Sequence, residues 1–522
     1  MNRKSMFEKL KDHSGKKWDV IIIGGGASGL GIAVDAATRG YKTILFEQSD
    51  FAKGTSSRST KLVHGGVRYL ANGDISLVLE ALTERGLLLQ NAPHLVRNQA
   101  FIIPNYDWWD GPFYAVGMKV YDMMAGDLGL GPSQKISKKE THAAIPNLDK
   151  KGLSGGVIYF DGQFDDARMA INLAQTAEEN DAVVLNYMQV TGLTKTSGGL
   201  IDGVRVVNVE NGIKYKVSGR VVINATGVFA DNIISMDDPS APAMIRPSQG
   251  IHIVLDKKFL KGDSAIMIPK TSDGRVLFAV PWHGKVIVGT TDTEISEPSL
   301  EPRALQEEID FILDTAALYL EKDPTRSDVK SIFAGLRPLA APQQEGEKSK
   351  EISRSHKVVV CQSGLVNILG GKWTTYRKMA EDTLDKALMV AGLKAKPCVT
   401  RDLRIHGYSE ATNFEIPHYY YGSDRVYIAD LAVQNAELGE KLHPDYEFIK
   451  AQVVYAVRNE MARTVEDFLA RRIRILLLDS RASMEMVPVV AELMAKELDK
   501  DEKWVVDQIA TYNDLAMGYI FN

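Results

Sequence analysis

Residues 18–47 read WDVIIIGGGASGLGIAVDAATRGYKTILFE, and this stretch decides the fold. Trp18 to Ile23 is a short apolar run of the kind that forms a strand buried on both faces. Gly24, Gly26 and Gly29 place a GxGxxG spacing at its end. In that turn the first glycine permits the tight reversal and the second lets a pyrophosphate reach the backbone, while the third lets helix and strand pack closely. Beyond Ala27, Ser28 to Arg39 reads as a helix whose N-terminal N–H groups and dipole face the phosphates. Gly40 ends the helix, Lys42 to Phe46 supplies a second strand, and Glu47 stands at its tip, where a carboxylate accepts hydrogen bonds from a ribose diol. GxGxxG alone recurs by chance in turns that bind nothing. Strand, turn, helix, strand and acid in register predict a nucleotide site in an α/β domain.

Two later segments specify the nucleotide. RVVINATGVFAD (220–231) is an apolar strand ending in Ala225, Thr226 and Gly227, and SGLVNILGGKWTTYR (363–377) is a strand running into glycines and a helix. With the first motif they resemble the three FAD-contacting regions of the large flavoprotein family that includes glutathione reductase and D-amino-acid oxidase. A second complete GxGxxG with a following acid is missing, as is a CxxC; Cys361 and Cys398 stand far apart. The expected reductant of the flavin is a small substrate and not a nicotinamide or a thiol pair.

Composition agrees with a soluble intracellular enzyme. A chain of 522 residues accommodates two or three domains, and 45% apolar with 25% charged residues is ordinary for globular proteins. Two cysteines cannot build a disulfide framework. A net charge of −5 argues against nucleic acid as a main partner. Ten scattered histidines without HxxxH or HExxH spacing point to no metal site. The lysine-punctuated N-terminus is unlike a secretory signal, and no run approaches the roughly 18 apolar residues of a membrane span.

The predicted architecture is α/β: a discontinuous Rossmann-like FAD-binding domain (17–78, 165–244 and 357–395), a strand-rich α+β substrate domain (79–164 and 245–356) and an α-helical C-terminal domain (403–522). Runs such as IHIVL (251–255), VLFAVPW (276–282) and KVIVGTTDT (285–293) read as antiparallel strands. APQQEGEKSK (341–350) reads as a polar loop suited to act as a lid. Ile449, Val453, Val457, Met461, Val465, Leu469, Ile473 and Leu476 form a helical stripe, in which Thr464 and Asp467 form an acidic variant of the capping box. The nearby Arg463, Arg471, Arg472 and Arg474 read as a solvated helix face, with docking of a partner or anionic lipid as the alternative.

The chemistry-bearing signal lies in SRSTKLVHGGVRYL (57–70), where Gly65 and Gly66 beside His64 let backbone approach a flavin ring. Together with IRPSQGIH (245–252), GLRPL (335–339), EISRSH (351–356) and GGKWTTYR (370–377), it resembles the FAD-dependent glycerol-3-phosphate dehydrogenases over nearly the whole chain. The resemblance implies oxidation of the C2 alcohol of sn-glycerol 3-phosphate to dihydroxyacetone phosphate, with hydride passing to flavin N5. It assigns Arg68, Arg337 and Arg354 to the substrate phosphate, with Tyr69 as a further donor; planar guanidinium groups suit a phosphomonoester. His252 is the leading base candidate, since an imidazole suits proton transfer near neutrality, and a plain strand histidine is the alternative. Lys372 is expected to contact substrate and stabilise developing negative charge. Expected cofactor contacts are Gly24, Gly26, Ala27, Ser28, Gly29, Glu47, Ser57, His64, Gly65, Gly66, Ala225, Thr226, Gly227, Gly364, Gly371, Lys372 and Thr374, with FAD held non-covalently.

For reoxidation the resemblance implies a membrane quinone, placing the protein on the inner face of the cell membrane, and a homodimer. An oxidase that reduces O2 to H2O2 is the alternative acceptor reading, and a flavin-containing metabolite sensor is the non-enzymatic one. MNRKSMFEKLKDHSGKK (1–17) is basic, with Met6, Phe7 and Leu10 as candidate anchors of an interfacial helix; a disordered tail is the competing expectation.

Overall fold

The computed structural model describes residues 1–66, 74–106, 110–269, 271, 274–341 and 355–521. Five strands lie side by side and parallel in the order Val183–Leu185, Thr43–Phe46, Trp18–Ile23, Lys214–Asn224 and Val366–Gly370. His356–Val360 adds an antiparallel edge, and a hairpin of Met188–Lys195 with Ile201–Asn208 extends from the start of Lys214–Asn224. Helices cover both faces, which is why Val20, Ile21 and Ile22 are wholly buried and the strand reads as a continuous apolar run. The helix after the glycine turn is Ala27–Thr38, and the strand that follows it starts at Thr43. Gly31 lets the helix Tyr376–Val390 approach; a Cβ there would lie 2.8 Å from the Tyr376 ring.

A second sheet contains ten strands among the described residues. At one end of it Ile245–Asp256 pairs antiparallel with Val329–Ala340, placing Ser248 opposite Arg337 and His252 opposite Phe333. The strand expected at 251–255 therefore begins six residues earlier, because the IRPSQG and GLRPL segments zip together. Leu62–Val63 pairs with Gly155–Phe164 in this same sheet, although residues 17–78 were assigned to the FAD-binding part. The expected boundary at 78/79 falls inside the helix Ile75–Asn91. The expected lid, 341–350, lies outside the described residues apart from Ala341.

The C-terminal region is helical, with Ser480–Leu498 and Glu502–Met517 packed together. The stripe from 449 to 476 is not one helix. Lys450–Asn459 ends before Met461, whose φ is +55°; a π-helical turn spans Asp467–Arg472; and Arg474, at φ +60°, precedes the short helix Ile475–Leu478. Thr464 and Asp467 cap each other reciprocally: the Thr464 N–H donates to Asp467 at 3.0 Å and the Asp467 N–H to the Thr464 hydroxyl at 3.2 Å. Arg471, Arg472 and Arg474 are buried, which corrects the expectation of a solvated face. Their partners are Asp50, Glu460, Glu466, Asp467 and Asp165, and an ion pair with Asp50, 421 residues from Arg471, leaves no local trace in sequence.

The N-terminus forms the helix Arg3–Asp12, capped by Asn2 and tied by Arg3 to Glu210 and Asn186. Met6 and Leu10 are buried in the core, so they are not membrane anchors, and the tail is not disordered.

His406 fastens the C-terminal region to the first domain, contacting Glu179 at 2.5 Å and Asp424 at 2.7 Å. Burial alone lowers its pKa, but the two carboxylates outweigh that and raise it to about 9. Because the folded-state pKa lies above the ordinary 6.5, this contact stabilises fully below pH ~6.5 and loses its contribution, of order 3 kcal/mol, as pH rises through ~9. Chemical denaturation of wild type and His406→Gln at pH 6, 7.5 and 9 should show the stability gap closing with rising pH. A constant gap would contradict the assignment.

Candidate active site

The carboxyl ends of Trp18–Ile23, Lys214–Asn224 and Val366–Gly370 open onto a cleft, the usual ligand position in open α/β sheets. Three cavities of about 240, 230 and 180 Å³ follow one another along it. The first and second share Gly371 and Lys372, and the second and third share His64 and Arg337.

At the first cavity the glycine turn is sterically required. A Cβ on Gly29 would sit 1.9 Å from the Gly24 carbonyl oxygen, and one on Gly24, at φ +109°, would sit 2.6 Å from that of Ala225. Gly24, Gly26, Ala27 and Ser28 face the cavity from one side, and Ala225, Thr226 and Gly227 from the other. Asn224 donates to Asn367 at 2.8 Å and accepts from the Thr226 hydroxyl at 2.7 Å, which ties this second wall to the neighbouring strand. Glu47 accepts the N–H groups of Gly25 (2.7 Å) and Ser49 (2.8 Å), fixing its carboxylate at the rim. Burial raises its pKa, opposed by those two N–H groups. Backbone N–H groups at a helix start, with a fixed acid beside them, fit the pyrophosphate and ribose of FAD.

The middle cavity holds the candidate base. His252 stacks on Phe333 at 4.8 Å, and its Nε2 lies 2.9 Å from the Thr60 hydroxyl. Its Nδ1 is buried with no hydrogen-bond partner among the described residues. Burial, reinforced by the positive charges of Lys61 and Arg337, holds its pKa well below 6.5, so the ring is neutral at physiological pH. Lys61 is itself fully buried, donating to Asp166 at 2.8 Å and to the Ser57 carbonyl at 2.6 Å.

Arg337 lies between the second and third cavities. It donates to the carbonyls of Gln249 (3.2 Å) and Thr291 (2.9 Å) and to the Thr290 hydroxyl (3.1 Å), and stands 3.4 Å from Asp292. These bonds set the plane of the guanidinium, and Gly250 makes room for it: a Cβ there would fall 2.3 Å from Arg337 Nη2. Lys372 lies at the head of the turn Trp373–Thr375, whose Trp373 indole donates to the Ser56 carbonyl at 2.8 Å. The His64 N–H donates to Thr374 at 3.3 Å, and the Gly65 N–H to the Tyr121 hydroxyl at 2.8 Å, which in turn donates to Asp161 at 2.9 Å.

The structure thus brings His64, Gly66, His252, Arg337, Gly371, Lys372 and Thr374 to one cleft. Arg68, Tyr69 and Arg354 lie outside the described residues. Four expected contacts are relocated. Gly29 packs against the Gly24 carbonyl and Ala225 and does not line the cavity. Gly364 sits in the turn before Val366–Gly370, at the end of the strand remote from the cleft, where its φ of +86° explains the glycine. Ser57 is buried and its carbonyl serves Lys61, while Thr55 and Ser56 line the cavity in its place. Gly65 packs against Leu82 and Tyr121 and leaves the cleft to Gly66. Residues that sequence reading passed over include Thr60, Lys61, Asp166, Thr290 and Arg275. The GTTDT run was the one available signal, since a threonine pair ending an apolar strand is polar where the strand should stop.

Fold and cleft define an FAD-dependent oxidoreductase. The family described as FAD dependent oxidoreductase matches residues 19–377, and the C-terminal domain of alpha-glycerophosphate oxidase matches residues 361–505. The mitochondrial glycerol-3-phosphate dehydrogenase of Mesocricetus auratus is 40% identical over 93% of this chain and 71% of its own, and that of Homo sapiens 39% identical over 96% and 74%. Among solved structures, the glycerol-3-phosphate dehydrogenase of Bacillus halodurans complexed with FAD superposes with a TM-score of 0.77 at 29% identity, covering 100% of this chain and 98% of that one. An L-alpha-glycerophosphate oxidase from Mycoplasma pneumoniae, 18% identical over 74% of this chain and 98% of its own, shares the fold with a TM-score of 0.56. The chain belongs to the FAD-dependent glycerol-3-phosphate dehydrogenase family.

Proposed function

We propose that this protein oxidises sn-glycerol 3-phosphate to dihydroxyacetone phosphate and delivers the electrons to a membrane quinone. The observation that carries the reading is the pairing, across one cavity, of an oriented guanidinium, Arg337, with a neutral buried imidazole, His252. Arg337 binds the substrate phosphate by charge and directed N–H groups, and the resemblance adds Arg68, Tyr69 and Arg354. His252 takes the C2 hydroxyl proton; held neutral, it has a lone pair to accept it. Bound FAD supplies the acceptor for the C2 hydride. Lys372, where the nucleotide and substrate cavities meet, places positive charge beside the reacting centre.

Arg337→Ala should raise KM for glycerol 3-phosphate by about a hundredfold with FAD still bound, and His252→Ala should lower kcat by about a hundredfold with a smaller change in KM. Steady-state kinetics on flavin-saturated protein decides this. An unchanged KM in the first variant, or an unchanged kcat in the second at every pH, would remove the role assigned to that residue.

The membrane part of the reading has different support. No helix among the described residues is long and apolar enough to cross a bilayer. The helix Asp110–Ala125 packs Met118 and Tyr121 inward yet turns Val116 (67% exposed), Val120 and Met123 (81% exposed) outward, and the helix it contacts, Ile75–Asn91, exposes Ile75 and Leu79. This apolar two-helix surface suits a bilayer interface better than the N-terminal helix, whose apolar side is already buried. Val116→Glu with Met123→Glu should cut co-sedimentation with phospholipid vesicles and reduction of a lipid-dissolved quinone by about tenfold, while substrate still reduces the flavin at the wild-type rate. Unchanged vesicle binding would exclude this surface.

A further inference from the structure

The arginine-rich π-helical turn of the C-terminal region reaches the wall of the nucleotide site. The segment Glu47–Ser56 wraps the glycine turn on three points: Glu47 accepts the Gly25 N–H, the Ala52 N–H donates to the Gly25 carbonyl at 2.9 Å, and Ser56 accepts the Ala27 N–H at 3.0 Å. Ala52 holds a left-handed φ of +60° within it, a conformation that a side chain seldom adopts without enforcement. Asp50 lies in the middle of the segment and is fully buried. Arg471 Nε donates to it at 2.6 Å, and Arg472 donates through Nη1 at 2.7 Å and Nη2 at 3.0 Å. Glu466, from the same turn, pairs with Lys53 at 2.7 Å and with Arg471 at 2.7 Å, so the wrap is gripped at a second point. Arg471 also bonds Asp467 at 2.7 Å, which is the residue that caps the turn.

We propose that Glu466, Arg471 and Arg472 are positioning residues for FAD, holding the Glu47–Ser56 wrap through Lys53 and Asp50 in its cofactor-binding shape. The helical C-terminal region then has a function distinct from the substrate reaction, which is retention of the flavin. None of the three residues lines the substrate cavity. The π-turn is the device that lets it work: the widened helix aims successive arginines at one carboxylate, the type of local irregularity often found at functional sites.

Titration of flavin-free protein with FAD, followed by flavin fluorescence, reads the effect. Arg471→Lys, which keeps the charge but loses the fork of donors, and the milder Glu466→Gln should each weaken FAD binding by about tenfold. At saturating FAD both should keep KM for glycerol 3-phosphate within about twofold of wild type. Arg474→Lys is the control, since Arg474 is equally buried in the same stretch but pairs with Asp165 at 2.6 Å instead of Asp50. It should leave FAD affinity within about twofold of wild type. Should Arg471→Lys fail to fold, Glu466→Gln decides, because Glu466 keeps some contact with solvent. Unchanged FAD affinity in the folded variants, or an equal loss in Arg474→Lys, would overturn the proposal.

Discussion

The ion pair between Lys61 and Asp166 holds the two halves of the active site together. Both side chains are removed from solvent, and Asp166 also accepts the N–H and hydroxyl of Ser59. Asp166 opens a helix of the nucleotide-binding domain, whereas Lys61 immediately precedes the strand Leu62–Val63 of the substrate sheet. Removing one partner of a buried pair leaves an uncompensated charge and costs about 3–5 kcal/mol. From this anchor the chain runs on both sides into the chemistry: Thr60 to His252, and His64 with Gly66 to the cavity beyond the flavin position.

The same ammonium acts on the candidate base at a distance. Burial and two neighbouring cations hold His252 neutral, and a neutral ring keeps a lone pair with which to accept a proton. The cavity lining sets Arg275, Arg337 and Lys372 among Asp161 and Asp292, in a chain that as a whole carries a net charge of −5. Attraction for a phosphate ester is local and built from side chains held by backbone carbonyls, and the overall balance of charge says nothing about it.

Much of this arrangement is legible in the sequence where the cause is local. The need for Gly29 follows from a contact within a few residues, the Gly24 carbonyl, and Gly24, Gly26, Ala27, Ser28 and Glu47 line the cavity where the motif places them. His252 and Arg337 stand in blocks of residues that resemble a known family. They stand on two paired strands, so neither can shift register without moving relative to the other. What the sequence conceals is long-range. Nothing near Arg471, Arg472 and Arg474 shows that Asp50 and Asp165, from the first two hundred residues, complete their pairing, so a helix of charges looks solvated. Ser57 and Gly364 face away from the cleft, and a turn's composition does not reveal which of its residues face a ligand. The N-terminal helix looked amphipathic enough for a membrane surface, but its apolar side packs on the protein's own core.

The most direct test of the account is an anaerobic titration of the flavin-loaded protein with glycerol 3-phosphate, using glycerol as the control. Bleaching of the flavin band by the ester and not by the alcohol is the predicted result, followed by rapid recovery on adding a quinone and slow recovery in air. A flavin that stays oxidised in the presence of the ester would contradict the substrate assignment, and fast reoxidation by air alone would contradict the quinone as acceptor.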